Sequence, residues 1–436
     1  MILNDTNVGE VRLWGQTVGA VAWDELEGVA RFEYAPEFLA SGYELSPIHH
    51  KLSKQIYSGS LNSYETFKGL PSFLADILPD DFGNKVINGW LASKGQDKES
   101  FTPLHRLLYT GTRGMGALEF FPAINKEALS DNIQLDQLVD LANKILSHRE
   151  DFYADLADDD AMNTILQVGT SAGGARPKAV IAWNRATNEI RSGQAESQKG
   201  FEHWLLKFDG VGESDDLHSS LGEPQGYGTV EYAYYKLATA CGITMMECDL
   251  LEDGDRRHFV TRRFDRSPEG KKLHILTLCG MDYADYKQPG GYSYEEAFSL
   301  MRKLGLPYDD AVQLYRRMIF NIVARIHDDH TKNFSFLMNQ HGEWRLSPAY
   351  DVAWSYKKGN KWVDRHNMTL AGKRDHFTRS DIINLGKTIR GLDADGELDH
   401  IISVVSGWTD VASQCGVDAS FTKTIAQSHR LEIFDS

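Results

Sequence analysis

The sequence predicts an α+β chain with a mixed N-terminal unit, a sheet-rich middle and a helical C-terminal half. Three patterns carry that expectation. Apolar and polar residues alternate in short runs near the start, and strand-like runs return between about residues 163 and 265. Beyond residue 290 apolar residues recur every three or four positions instead.

Local chemistry sets the order of elements. VRLWGQTVGAVAW (residues 11–23) reads as two strands broken at Gly15-Gln16, as in a hairpin. Ala30, Phe32 and Tyr34 share one face of a third strand, with Arg31 and Glu33 on the other. Residues 69–93 read as helix with a break at Pro79, and LLYTGTRGMGALEFF (107–121) passes through glycines into another strand. A further helix is expected over 133–148. The middle carries the runs ILQVG, KAVIAW, HWLLKF and HFVTRRF, with a helix over 229–240 between the last two. Two polar stretches there, ATNEIRSGQAESQKG and DGVGESDDLHSSLGEPQGYGT, read as loops. Farther on, Val312, Tyr315, Ile319, Ile322 and Ile326 form a buried helical stripe.

A length of 436 residues leaves room for two or three domains. The chain has 46 Lys+Arg against 62 Asp+Glu, a formal charge of −16. That balance argues against broad nucleic-acid binding, because phosphate contacts need positive charge; a basic partner or a local basic patch stays compatible. Cys241, Cys248, Cys279 and Cys415 are too few for a disulfide framework, and none is spaced C-x-x-C. The start, MILNDTNVGEVRLWG, lacks the basic and apolar regions of a secretory signal. No run approaches the ~18 apolar residues of a membrane span, so a soluble, cytoplasmic protein is expected.

The densest polar cluster is HDDHTKN (327–333), just past the apolar helix. Such polarity beside a buried helix is costly unless it is used. Two chemistries fit it. His327, Asp328, Asp329 and His330 offer ligands for a metal-dependent phosphohydrolase. Alternatively, Asp328 and Asn333 have the D-x-x-x-x-N spacing of a kinase catalytic loop, with the Asp as proton acceptor and the Asn on Mg²⁺. The next segments of the chain favour the kinase layout: a strand FSFLM, a turn, then RLSPAYDVAW bringing Asp351 to the end of a second strand as a second acidic ligand. The motif Tyr350-Asp351-Val352 is not Asp-Phe-Gly, which argues against a conventional protein kinase.

A kinase also needs a phosphate cradle and a lysine. GTSAGGARPK (169–178) is a glycine loop between two expected strands, and Lys207 ends the strand HWLLKF. Glu231, on the following helix, is a possible partner for that lysine. By contrast GTRGMG (111–116) precedes a strand, whereas a dinucleotide fingerprint opens a helix, so it reads as a turn.

Taken in order, ARFEYAPEFLASGYELSP, LPSFLADILPD, GTRGMGALEFFP, TSAGGARPKAVI, HWLLKF, VTRRFDR, HDDHTKNFSFLM and LSPAYDV cover nearly the whole chain. With these segments the chain resembles the HipA-type toxins, the serine/threonine kinase half of bacterial toxin–antitoxin pairs. The resemblance implies a protein-kinase-like bilobal fold with an added N-terminal domain. Its parts are an α+β domain (1–125), a sheet-rich N-lobe (126–265) and an all-helical C-lobe (266–436). It implies ATP and Mg²⁺ as cofactors, Asp328 as catalytic base, and Asn333 and Asp351 as metal ligands. His330, Thr331, Lys332 and Asn333, with Tyr350 and Asp351, then line the phosphate side. Gly173, Gly174, Ala175, Arg176, Pro177 and Lys178 form the cradle, and Lys207 reaches the phosphates. The backbone of Arg262, Arg263 and Phe264 meets the adenine edge. Ser171, with Thr170 as the adjacent alternative, falls at the position of regulatory autophosphorylation.

Two positions depart from the family pattern: Arg262, where an acidic residue is expected, and Asp329, where glycine is expected. The resemblance also implies partners: a small HipB-like helix-turn-helix antitoxin dimer, operator DNA through that complex, and a protein substrate such as an aminoacyl-tRNA synthetase, with no membrane. The alternatives are the phosphohydrolase above and a catalytically silent, kinase-like scaffold.

Overall fold

Trp14 (φ 49°) and Gly15 (φ 79°) turn the chain between β1 (Val8–Leu13) and β2 (Gln16–Asp24), an antiparallel hairpin. Two successive positive φ values match the right-handed twist of the flanking strands. In this computed structural model the described residues are 6–124, 135–146, 177–193, 200–211, 226–267 and 270–434. Thr170, Ser171, Gly173, Gly174, Ala175 and Arg176, and the expected strand ILQVG, lie outside them. The chain divides into two compact units: Met1–Leu45 with His50–Gly228 and Cys248–Ile275, and Ser46–His49 with Thr229–Glu247 and Leu276–Ser436.

In the first unit, β3 (Val29–Tyr34), β4 (Tyr57–Ser58) and β5 (Leu118–Phe121) complete a sheet ordered β4-β3-β2-β1-β5. Ala30, Phe32 and Tyr34 point into the core while Arg31 and Glu33 are exposed, the alternation that the sequence requires. Gly19 is demanded by packing, since a Cβ there would lie 2.1 Å from the Glu33 carbonyl oxygen.

A second sheet joins β6 (Lys178–Asn184), β7 (Glu189–Ser192), β8 (Glu202–Lys207), β9 (Cys248–Asp253) and β10 (Arg256–Arg262) in the order β7-β6-β8-β10-β9. β7 falls inside a stretch expected to be loop, and β9 was not anticipated. Both are edge strands, where half-polar sequences survive because one side meets solvent. Helices Asp81–Ser93 and Leu135–Leu146 supply Phe82, Val86, Leu91, Leu138 and Val139 to a core shared with Ile181, Trp204 and Val260 of this sheet. Asp80 caps the first of these helices by accepting from Gly83 N–H at 2.6 Å, directly after Pro79 interrupts the preceding turn.

The GTRGMG segment is a turn, and its anchor is buried. Gly116 N–H donates to Asp265 Oδ2 (2.7 Å), and the same wholly buried carboxylate pairs with Arg263 (2.7 Å) and Arg266 (2.8 Å). Burial alone would raise the Asp265 carboxyl, but the two guanidiniums outweigh it and hold it far below the usual carboxylate range.

The second unit is helical apart from a hairpin of β12 (Ser335–Met338) and β13 (Trp344–Leu346); β11 (His274–Thr277) leads the chain into it. Helix Tyr308–Val323 buries the whole expected stripe, although Ile326 lies past its end. Helices Tyr294–Lys303, Arg379–Gly386, Ala394–Ser406, Trp408–Cys415 and Ala419–Ser428 follow the same helical pattern. Among the described residues no helix is long and apolar enough to cross a membrane, and no disulfide joins the four cysteines.

Two inaccessible histidines give the fold a pH dependence. Burial lowers His274 to about 4 and His327 to about 3. In the unfolded chain both take protons near pH 6.5, so the unfolded state binds more protons as pH falls below that value. Stability is therefore full above about pH 6.5 and declines toward the folded values, by on the order of 3 kcal/mol for His274. Urea midpoints that fall steadily between pH 7 and 4 are expected. Midpoints flat over that range would contradict the buried, neutral assignment.

Candidate active site

Two residues past the end of helix Tyr308–Val323, Arg325 adopts left-handed backbone (φ 59°) and redirects the chain into the HDDHTKN loop. The positive φ sits there and not at Asp329, so the loop does not need the glycine that the family pattern places at 329. Asp329 has a different task. Its carboxylate is inaccessible and accepts three hydrogen bonds: Tyr294 OH (2.7 Å), Asn367 N–H (2.7 Å) and His366 Nδ1 (3.0 Å). Burial alone would raise this carboxyl, but His366, Tyr294 and the Asn367 N–H outweigh it and hold it ionised below its ordinary range.

Asp328, one residue earlier, faces the other way. Its side chain is 48 % exposed, and His330 Nε2 lies 3.7 Å from its Oδ1. Its own backbone is fixed at both ends. Asp328 N–H donates to Ser355 Oγ (3.0 Å), and its carbonyl accepts from Asn333 Nδ2 (2.8 Å). That second bond leaves Asn333 Oδ1 as the oxygen free to turn outward. A single turn of 3₁₀-helix, Thr331–Asn333, is held by Thr331 Oγ1 donating to Ala284 O (2.6 Å).

Tyr350 ties the second acidic residue to this loop. Its hydroxyl donates to Lys332 O (2.7 Å) and also contacts Ser335 Oγ. Asp351 does not end a strand as the sequence suggested. β13 stops at Leu346, and Asp351 stands five residues on, in a left-handed turn (φ 52°). Asp328, Asn333, Tyr350 and Asp351 nevertheless line one cleft, floored by Phe334 and Val352. A carboxylate and an amide oxygen in one cleft suit a hard divalent cation such as Mg²⁺, which takes one or two protein carboxylates and completes its shell with phosphate and water.

The phosphohydrolase constellation is not assembled. His327 Nδ1 lies 3.1 Å from Val363 O and Asp329 is committed to His366, so the four residues do not converge. Among the described residues no group of three or more His, Cys, Asp or Glu side chains is placed to hold a metal ion.

In the first unit, Lys178 and Lys207 are directly opposed on β6 and β8, next to Pro177. Lys207 Nζ sits 5.7 Å from the centre of the Phe259 ring, and Lys178 is almost fully buried. Two cations at the same end of a sheet are complemented by a polyanion. Arg262 pairs with Glu202 at 3.2 Å, which accounts for a basic side chain where an acidic one was expected. Arg263 N–H donates to His203 O (2.9 Å), so the strand end before Phe264 is rigidly set. Glu231 is buried and belongs to the second unit, whereas Lys207 belongs to the first.

Sequence reasoning missed the supports. Asn321 donates to the Tyr294 hydroxyl (3.1 Å) and buried Arg317 to Ser347 O (2.5 Å). Both are polar residues inside the apolar stripe of one helix, and that interruption was the available signal.

The profile of the HipA-like C-terminal domain matches residues 170–430 and that of the HipA N-terminal domain matches residues 9–121. The chain belongs to the HipA family. The serine/threonine-protein kinase toxin HipA of Shewanella oneidensis is 23% identical over 368 residues, spanning 79% of this chain and 74% of the relative. The protein Y4mE of Sinorhizobium fredii is 28% identical over 136 residues, 29% of this chain and 32% of its own. The fold matches HipA in the Shewanella oneidensis HipA–HipB–operator DNA complex with a TM-score of 0.65, at 19% identity, over 96% of this chain and 95% of that one. The HipA-family fold and the α+β class expected from the sequence are thus both borne out.

Proposed function

We propose that this HipA-family chain is an ATP- and Mg²⁺-dependent serine/threonine protein kinase and the toxin of a toxin–antitoxin pair. The observation that carries the reading is the catalytic loop: an exposed Asp328 carboxylate on a backbone fixed by Ser355 and Asn333, in one cleft with Asp351. In this reading the acceptor hydroxyl attacks the γ-phosphorus while the bond to the ADP oxygen breaks, and Asp328 takes the hydroxyl proton. Asn333 and Asp351 would hold Mg²⁺, which would neutralise phosphate charge when bound. Lys178 and Lys207, with the glycine loop through Pro177, bind the phosphates; His330, Thr331, Lys332 and Tyr350 border them. The backbone at Arg262, Arg263 and Phe264 borders the adenine. The domain division is 1–125, 126–265 and 266–436.

The partners follow from the family. Kinship with a HipA found in complex with HipB and operator DNA supports a small helix-turn-helix antitoxin dimer and operator DNA as this chain's partners. The substrate is a translation component such as an aminoacyl-tRNA synthetase, reached in the cytoplasm. Titrating the protein with ATP and Mg²⁺ tests the site: binding that is lost in Lys207→Ala and weakened by chelating the metal supports it, and no ATP binding overturns it.

Self-inactivation runs through Ser171, with Thr170 as the adjacent acceptor. A phosphoserine adds about −1.5 to −2 charge to a loop that must hold ATP phosphates, so repulsion expels the nucleotide. In Ser171→Ala, activity is expected to persist during incubation with ATP while the unsubstituted protein decays. Equal decay in both would contradict this switch.

A further inference from the structure

Residues 354–367 reverse the sign of the molecule. In a chain of net charge −16 they carry Lys357, Lys358, Lys361 and Arg365 against the single carboxylate of Asp364. Lys357, Lys358, Lys361 and Arg365 are exposed. Among the described residues no ion pair joins Lys357, Lys358 or Lys361 to a carboxylate, and Arg365 only grazes Asp364 at 3.9 Å.

The segment is not a loose tail. Ser355 forms a bridge with Ile326 and accepts Asp328 N–H on its hydroxyl. Lys357 N–H donates to Val363 O (3.3 Å), and Asn360 Oδ1 accepts Trp362 N–H (2.8 Å) and Val363 N–H (3.2 Å). Asn367 Nδ2 then donates to His327 O (2.8 Å) and Trp362 O (3.1 Å). The cations are therefore held on a folded loop whose two ends are bonded to the backbone at His327 and Asp328.

We propose that this loop is a preformed docking platform for an acidic polypeptide segment flanking the phosphoacceptor. The proposal rests on the kinase reading for the acceptor's identity, but not for the binding itself. A folded cationic surface loses little conformational freedom on binding and steers an anionic segment toward Asp328. A polypeptide fits better than nucleic acid. Trp362, the one exposed aromatic of the loop, already carries the Lys361 ammonium 4.7 Å from its ring centre, so that ring is not a vacant platform for base stacking. The chain's overall negative charge further disfavours a long polyanion while leaving a short acidic segment attracted locally.

The test uses fluorescence anisotropy on the full chain at low and high salt. Its probes are a serine peptide flanked by glutamates, the same peptide with glutamines, and a single-stranded RNA oligonucleotide of matching charge. The glutamate peptide is expected to bind about tenfold more tightly than the glutamine one at low salt, with the difference lost in the triple variant Lys357→Ala, Lys358→Ala, Lys361→Ala. Equal or absent binding of the two peptides, or an unchanged preference in the triple variant, overturns the platform. Tighter binding of the oligonucleotide overturns the choice of partner. Phosphate incorporation from labelled ATP is measured alongside. A retained glutamate preference without any incorporation places the failure in the kinase reading and leaves the platform standing.

Discussion

Asp328→Asn is expected to lower phosphoryl transfer by about 10²–10⁴-fold, the range that a positioned general base supplies. The substitution preserves shape and removes only the ability to take a proton. Because the side chain is 48 % exposed and its neighbour His330 Nε2 lies 3.7 Å from its Oδ1, stability is expected to change little. ATP affinity is expected to hold as well, since Lys178 and Lys207 of the second sheet and the Asn333–Asp351 pair are untouched. Transfer rates, ATP titration and a melting curve on the same preparation separate these outcomes. Retained transfer would remove Asp328 from the role of base.

Asp329→Ala is expected to act on the fold first, costing about 3–5 kcal/mol, as when one partner of a buried charged network is deleted. Three donors, from Tyr294, His366 and Asn367, lose their acceptor at once in a site closed to water. The loss also loosens the HDDHTKN loop, because these donors join helix Tyr294–Lys303 and the segment around His366 to the residue beside Asp328. Denaturant titration of Asp329→Ala and Asp329→Asn measures it. The Asn variant should fall between Ala and the parent, since it keeps an acceptor oxygen without charge. Parent-like stability in the Ala variant would show that the hub is not structural.

These neighbouring aspartates also show what can be read from a linear sequence. The spacing of Asp328 and Asn333 was legible because the chemistry is local, five residues within one turn and loop. The role of Asp329 was not, because its partners stand 35 to 38 positions away and become neighbours only through folding. Periodicity located β1, β2 and β3 and helix Tyr308–Val323, whose apolar faces are long enough to impose a period. It failed at β7 and β9, short edge strands with mixed faces, and at Asp351, whose place is set by a left-handed turn rather than by a strand. Arg262 was legible as an exception, but its compensation by Glu202 required the register of β8 and β10.

The most direct measurement is the intact mass of the purified protein before and after incubation with ATP and Mg²⁺, with site mapping, in the parent and in Asp328→Asn. The account predicts phosphate added to the parent, mapped to Ser171 or Thr170, and none added to the variant. A parent that starts unmodified, gains no phosphate and binds no ATP would contradict the kinase and leave a scaffold in its place.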